Sequence, residues 1–106
     1  MFTRIVTMRL KPNSATEFSQ TIEKKILPIL RKQKGFRDEI TLMAPGRQEA
    51  IGISFWDSRE QADTYNAGSY PEVLRELNQL LDGTPQVQTY DVANSTVHKI
   101  AARPAA

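Results

Sequence analysis

The middle of the chain holds two neighbouring segments in which apolar residues recur at every second position. They span residues 36–44 and 49–57, and the sequence APGR at 44–47 lies between them. A period of two is the pattern of a strand with one buried face, and proline followed by glycine favours a tight turn. The two segments are therefore predicted to form a β-hairpin, with a type II turn at Pro45 and Gly46.

A helical pattern precedes this hairpin. The sequence SATE at 14–17 has the form of a capping box, and apolar residues follow it at helical spacing until Gly35. Pro28 lies inside this stretch, where its missing N–H should kink or split the helix.

Two more helices are predicted after the hairpin. The first begins at Asp57 or Ser58 and ends at Gly68, and the second extends from Ser69 to Gly83 with the clearest apolar stripe in the chain. With strands at about 3–11 and 86–99, the predicted order of elements is β-α-β-β-α-α-β. This order indicates an α+β fold, a ferredoxin-like split βαβ with a four-stranded antiparallel sheet and helices on one face.

Strand alternation divides the sheet residues into two faces. The face expected beneath the helices carries large apolar residues: Val6, Met8, Leu10, Ile40, Leu42, Ile51, Ile53, Phe55, Tyr90 and Val92. The other face is mixed: Thr7, Arg9, Thr41, Met43, Ala50, Gly52, Ser54 and Trp56. It is too polar for a dry core and too rich in Met, Trp and small residues for a wet surface. We therefore expect a homodimer with two sheets face to face, in which Trp56, Arg9 and Met43 are interface residues.

Composition narrows the class of protein. A chain of 106 residues, 40% hydrophobic and 25% charged, fits one domain spanning 1–106, with about 101–106 as a loose C-terminal tail. The absence of cysteine excludes disulfides and thiolate zinc sites, and with a single histidine no metal site is expected. No segment has the pattern of a signal peptide or a membrane span, so we expect a cytoplasmic protein without a membrane partner.

Positive charge is concentrated in the first half of the chain. Residues 1–47 contain ten Lys and Arg against four Asp and Glu, and the sequence RKQK at 31–34 is the densest run. Such a run could bind nucleic acid, but cations also gather at helix C-termini, where the helix dipole favours them. Because no aromatic residue is interleaved to stack on bases, no nucleic-acid partner is predicted.

Several stretches together resemble the antibiotic-biosynthesis-monooxygenase-like (ABM) proteins of the dimeric α/β-barrel group. They are the Gly-Phe pair at 35–36, the strand that ends in Trp56 before the capping Ser58, the SYPEV restart at 69–73 and the YDV sequence at 90–92. The resemblance spans nearly the whole chain and implies a ferredoxin-like domain that pairs into a dimeric barrel. Proteins of this group include cofactor-independent oxygenases of quinols and anthrones, haem-degrading enzymes and small-molecule isomerases.

The resemblance separates these activities residue by residue. The haem-degrading branch has an Asn in the first strand, a Trp in the helix after the third strand and a His in the next helix. Here the matching positions hold Met8, Tyr65 and about Arg75, so a haem ligand of the usual kind is missing and no cofactor is expected. The remaining implication is a cofactor-independent monooxygenase acting on a small aromatic or quinol-type substrate between sheet and helices.

Such chemistry needs a dry pocket, a base and hydrogen-bond donors for the substrate anion. The catalytic candidates are His98 as base and Tyr65 as donor. The expected pocket residues are Met8, Phe36, Phe55 and Tyr70.

Each candidate also has a structural interpretation. Trp56 could serve only as interface or strand-end packing, and Tyr65 could be a core ring. His98 could lie at the surface or dimer edge, since a bulge in the polar stretch 93–97 would reverse its direction. Arg9 and Glu39, placed on the partner-facing side, could bind a polar ligand or form ion pairs at the seam. The alternative function is a non-catalytic dimeric domain that binds a small molecule or has only a structural role.

Overall fold

The computed structural model describes residues 1–100 and contains one four-stranded antiparallel sheet. Its strands are β1 (Phe2–Arg9), β2 (Phe36–Met43), β3 (Glu49–Trp56) and β4 (Gln86–Asp91), in the spatial order β2-β3-β1-β4. The predicted α+β, ferredoxin-like arrangement with helices on one face is confirmed. The expected loose tail at 101–106 lies outside the described residues.

Four α-helices cover one face of this sheet. They are α1 (Ala15–Thr21), α2 (Leu27–Arg31), α3 (Arg59–Ala67) and α4 (Tyr70–Leu77). A π-helical segment, Ile22–Ile26, joins α1 to α2, and Pro28 lies in the first turn of α2. The expected interruption at Pro28 is therefore confirmed, because a proline in the first turn needs no N–H donor. No helix among residues 1–100 is long and apolar enough to cross a membrane.

The residues predicted to cap helices or form turns do so in some places and not in others. Ser58 caps α3 by accepting a hydrogen bond from the Gln61 N–H at 3.3 Å, in agreement with the predicted start of this helix at Asp57 or Ser58. Ser14 and Ser69 precede helices but form no such side-chain bond. The type II turn is wrong: the positive φ of 60° falls on Arg47, not on Gly46.

The register of the strands assigns the two faces of the sheet. Trp56 lies opposite Phe2 and Phe36, and Ala50 lies opposite Met8 and Met43. Directly opposed residues of an antiparallel pair share a face, and Phe2, Met8 and Trp56 are all buried beneath the helices. The prediction for Val6, Met8 and Leu10 is therefore confirmed. The predicted faces are reversed for β3, for Ile40 and Leu42 in β2 and for Tyr90 in β4.

The face away from the helices, called here the open face, carries the large aliphatic residues. The sheet residues that the register places there include Ile5, Ile40, Leu42, Ile51, Ile53, Phe55 and Tyr90. Ile40, Leu42 and Tyr90 are 48%, 47% and 50% exposed. The prediction failed here because both faces are apolar enough to be buried, and alternation alone does not say which one meets the helices.

The last strand is shorter than the predicted 86–99. Hydrogen bonding in β4 ends at Asp91, and Ser95 Oγ then accepts the backbone N–H groups of Val97 and His98 at 3.0 and 2.9 Å. A serine that bonds to the backbone in this way favours a turn over a strand. The chain therefore leaves the sheet before His98.

Candidate functional site

A cavity lies between the sheet and the helices. Its volume is about 480 Å³ when the open mouth is included. The space inside that the centre of a water molecule can reach is much smaller, about 50 Å³. Its walls are mostly apolar: Val6, Met8, Ile22, Ile26, Leu30, Val73, Leu74, Leu77 and Pro85. Such a mainly apolar hollow with a few polar groups has the general character of a small-molecule site.

Small residues on β3 make room for this cavity. Ala50, Gly52 and Ser54 point toward the helices, and a side chain at Gly52 would meet only the Met8 methyl group, at 3.6 Å. Bulkier residues at these positions would fill the space between β3 and the helices. The mixed composition that suggested a dimer interface in the sequence therefore forms the floor of a cavity.

At one end of the cavity, Arg4 lies among the other polar residues that line it: Glu39, Ser54, Tyr65 and Tyr70. Arg4 is only 3% exposed, and its Nη2 donates a 2.9 Å hydrogen bond to Asn66 Oδ1. Its guanidinium carbon is 5.0 Å from the ring centre of Tyr65 and 4.4 Å from that of Tyr70. Strand β1 thus presents a buried cation to the cavity, held by two aromatic rings and one amide.

Glu39 brings a carboxyl group into the same cavity from β2. It lines the cavity on the same sheet face as Ser54, and Thr41 Oγ1 donates a 2.6 Å hydrogen bond to its Oε2. Burial raises the pKa of Glu39, and the hydrogen bond from Thr41 opposes that rise. Burial therefore makes the Glu39 carboxylate a stronger proton acceptor than an exposed glutamate, as a catalytic base beside an apolar cavity requires.

The two tyrosines at this end remain protonated at neutral pH. Burial raises the pKa of Tyr65 to about 12, with the positive charge of Arg4 opposing the rise. Burial likewise raises the pKa of Tyr70. Their hydroxyl groups can donate hydrogen bonds to a ligand but cannot serve as bases. Met8, Tyr65 and Tyr70, all predicted site residues, do line the cavity, and their roles in it stay predictions.

Trp56 supports this end of the cavity from within the core. It is fully buried, stacks on Tyr65 with ring centres 5.0 Å apart, and donates its indole N–H to Ser54 Oγ at 2.9 Å. Phe36 packs edge-on against it at 5.6 Å and does not line the cavity. The predicted position of Trp56 on the face away from the helices is wrong, because its register with Phe2 turns it inward.

The two other predicted interface residues lie on opposite faces. Met43 shares the helix face with Ala50 and packs against the core, so its predicted place on the open face is also wrong. Arg9 is exposed and pairs with Glu49 in the sheet register, on the open face as predicted.

His98 and Phe55 lie away from the cavity. His98 Nε2 is 2.5 Å from Asp38 Oδ2, and its ring lies 5.9 Å from that of Phe55. Asp38 and Phe55 are paired in the sheet register on the open face. The sheet therefore separates His98 from Tyr65. The prediction that both belong to one catalytic pocket is wrong, because the chain turns at Ser95 and crosses the open face.

Sequence reasoning missed Arg4 as a site residue and placed Glu39 on the wrong face. A signal for Arg4 was present, since it alternates with Phe2, Val6 and Met8 along one apolar face of β1. A charged residue in such a row is costly to bury without a role or a partner. For Glu39 no local signal existed, because its face depends on the register between β2 and β3.

Comparison with known proteins identifies the fold. No family model matches the chain, and no curated protein is significantly similar to it in sequence. A candidate antibiotic biosynthesis monooxygenase from Bordetella bronchiseptica superposes with a TM-score of 0.75 at 12% identity, over 88% of this chain and 97% of that one. SnoaB, a cofactor-independent oxygenase from Streptomyces nogalater, gives 0.76 at 13% identity, over 92% and 97%.

A third structure is similar to the same extent. It is a monooxygenase from the gene ActVA-Orf6 of Streptomyces coelicolor, solved with the ligand nanaomycin D, and it gives a TM-score of 0.75 at 17% identity, over 92% of both chains. Identities this low establish a shared fold and leave the chemistry to be argued from the site.

Proposed function

We propose that this chain, which has the fold of the antibiotic biosynthesis monooxygenases, oxidises a small aromatic molecule of quinol or anthrone type with O₂ in the cavity between sheet and helices. The observation that carries the proposal is the Glu39 carboxyl, which has a raised pKa and lines a mainly apolar cavity that also contains protonated tyrosines. The named oxygenases that share the fold add support by analogy.

The first step is removal of a proton from the substrate. An anthrone carries an acidic ring CH₂ group, and the Glu39 carboxylate accepts one of its protons. The negative charge that develops on the substrate oxygen is stabilised by hydroxyl donors such as Tyr65 and Tyr70, which stay protonated at neutral pH. The apolar walls keep water away and strengthen these interactions.

The second step is the reaction with O₂. The substrate anion passes one electron to O₂, and the resulting radical and superoxide combine to form a C–O bond. Protonation by the Glu39 carboxylic acid gives a hydroperoxide. Loss of the remaining C–H proton with cleavage of the O–O bond then yields a ring ketone and water. Overall, one CH₂ group and one O₂ become one C=O group and one H₂O, and Glu39 returns to its starting state.

Oxygen uptake with a panel of anthrones and hydroquinones tests this function. Glu39→Gln keeps the size of the side chain and removes the base, so uptake should fall by about 10²-fold or more. Glu49→Gln is the matched control, because Glu49 is exposed at the start of β3 and does not line the cavity. Uptake that is equal in the wild type and Glu39→Gln would contradict the assignment of Glu39 as the base.

A second candidate function is binding of a small molecule without chemistry. The limited free space of about 50 Å³ for water centres supports it, because a cavity nearly filled by its own side chains leaves little room for both a substrate and O₂. Saturable binding of an anthrone without oxygen uptake in any member of the panel would favour this candidate.

We also propose that two copies pair through their open faces. Ile40, Leu42 and Tyr90 expose large apolar surfaces there, and the neighbouring Ile51, Ile53 and Phe55 are half-buried. An exposed patch of several large apolar side chains often marks a site of protein–protein interaction. Two identical flat faces related by a two-fold axis match each other in shape and chemistry.

A further inference from the structure

We infer that the cavity selects aromatic ligands that carry an anionic oxygen group, and that Arg4 binds this group. The inference rests on the proposed function in that the ligand occupies the same cavity. It adds a substrate class, aromatic acids or ionised acidic phenols, that the proposed oxidation does not require.

The burial of Arg4 is the first observation. The residue is only 3% exposed, and it is the second member of an otherwise apolar row on β1 that consists of Phe2, Arg4, Val6 and Met8. Long charged side chains often extend so that the charged end reaches water. The Arg4 side chain instead stays inside and lines the cavity. A cation in this position is a costly feature that a purely structural strand residue would not need.

The partners of Arg4 are the second observation. Among residues 1–100, no carboxylate oxygen lies within 4 Å of its guanidinium nitrogens, although four other ion pairs are present. Its side chain donates a hydrogen bond to the neutral amide of Asn66 and is hydrogen-bonded to the side chains of Tyr65 and Tyr70. Within the described residues, the positive charge is therefore compensated by neutral polar groups and ring faces.

The geometry leaves donors for a ligand. A guanidinium has five N–H groups in one plane, arranged as a fork that matches a carboxylate. The rings of Tyr65 and Tyr70 contact the group at 5.0 and 4.4 Å, and Asn66 takes one donor. Tyr65 and Tyr70 are also hydrogen-bonded to Arg4 through their side chains. With one N–H group directed to each of these three partners, two of the five remain for an anion in the cavity that Arg4 lines.

The rest of the cavity fits the ring of such a ligand. Its other walls are aliphatic, formed by residues such as Val6, Leu74 and Leu77, and they offer no charged partner to a second ionic group. Glu39 would repel an anion placed beside it. The anionic group should therefore sit at Arg4, with the ring extending over the apolar walls.

Calorimetric titration with a matched ligand pair tests this inference. Naphthalene-1-carboxylate and naphthalene-1-carboxamide have nearly the same shape, and only the first is charged at pH 7. The wild type should bind the acid about tenfold or more tightly than the amide, as expected for a charge-assisted hydrogen-bonded pair. Equal affinities, a preference for the amide, or no binding of either compound would overturn the inference.

Variants of Arg4 and Arg9 test which residue produces the preference for the acid over the amide. Arg4→Gln should abolish the preference for the acid over the amide, whereas Arg9→Gln, which changes an exposed arginine on the opposite face of the same strand, should retain it. If circular dichroism shows that Arg4→Gln does not fold, Arg4→Lys keeps the charge without the fork and should lower the preference without eliminating it. A preference unchanged in both Arg4 variants would contradict the assignment.

The outcome is separable from that of the proposed oxidation. Neither naphthalene compound is a quinol or an anthrone, so the titration needs no turnover. A preference for the acid without oxygen uptake would contradict the proposed oxidation and support the anion site at Arg4. Oxygen uptake without a preference for the acid would support the oxidation and contradict the anion site.

Discussion

Thr41 donates a 2.6 Å hydrogen bond to the carboxyl group of Glu39, two positions away on the same face of β2. Burial raises the pKa of Glu39, and this bond opposes the rise. The pair therefore sets how readily the cavity carboxyl gives up its proton. Thr41 acts through Glu39, as a positioning residue.

Replacing Thr41 with valine should move the pH dependence of oxygen uptake. Valine has the shape of threonine but no hydroxyl donor, so the charged form of Glu39 loses stabilisation and its pKa rises further. The acidic limb of the pH–rate profile should then shift to higher pH, while the rate on the alkaline plateau changes little. A uniform loss of rate without a shift would indicate that Thr41 has only a packing role.

Glu39 should also make the stability of the fold depend on pH. A carboxyl whose pKa is higher in the folded state than its ordinary value of 4.5 contributes stability that is fully present below pH 4.5. This contribution is lost as the pH rises through the folded-state pKa. Because Glu39→Gln cannot ionise, its Tm should rise relative to the wild type across this interval. The measurement is a pair of thermal melts from pH 4 to 8, and a Tm difference independent of pH would contradict it.

Removing the imidazole of His98 should leave oxygen uptake unchanged. The side chain pairs with Asp38 and contacts Phe55 on the open face, so the sheet separates it from the cavity. Replacement by alanine is expected to change the rate by less than twofold, about 0.4 kcal/mol in activation free energy. Steady-state uptake by His98→Ala, beside Glu39→Gln, provides the comparison. A loss in the alanine variant as large as in Glu39→Gln would show that the catalytic group lies on the other side of the sheet.

A charge placed on the open face should separate the proposed dimer. Ile40→Lys puts an ammonium group on this face beside Ile53, where pairing of two copies would remove the charge from water. Val87→Lys is the matched control, because Val87 is 39% exposed but shares its face with Val6, on the helix side. Light scattering after size exclusion should report a dimer for the wild type and Val87→Lys and a monomer for Ile40→Lys. A monomeric wild type would contradict the proposal that two copies pair through their open faces.

The local sequence determined the elements of this fold. Alternation predicted the hairpin of β2 and β3, the Ser58 box predicted the start of α3, and Pro28 marked the break between the first two helices. These features depend on interactions between residues a few positions apart, such as a cap or a missing N–H donor, so they can be recognised without knowing the rest of the chain.

Tertiary structure decided which face of each strand is buried, and with it the site. The open face carries Ile40 and Ile53 while the helix face carries Trp56 and Ala50, so the face with more large aliphatic residues is not the one that meets the helices. Pairing with β1 settled the question, because Phe2 and Met8 bring Trp56 and Ala50 under the helices. The reversal of one face moved Glu39 into the cavity.

The position of His98 also could not be predicted from the local sequence. The sequence 93–97 allowed either a continued strand or a change of direction, and the Ser95 turn placed the histidine beside Asp38, sixty positions earlier in the chain. A period of two gives the two faces of a strand, but the contact that buries one of them comes from residues distant in sequence. The sequence by itself thus determined the elements and their order, and the packing of distant strands and helices decided which side chains meet in the cavity.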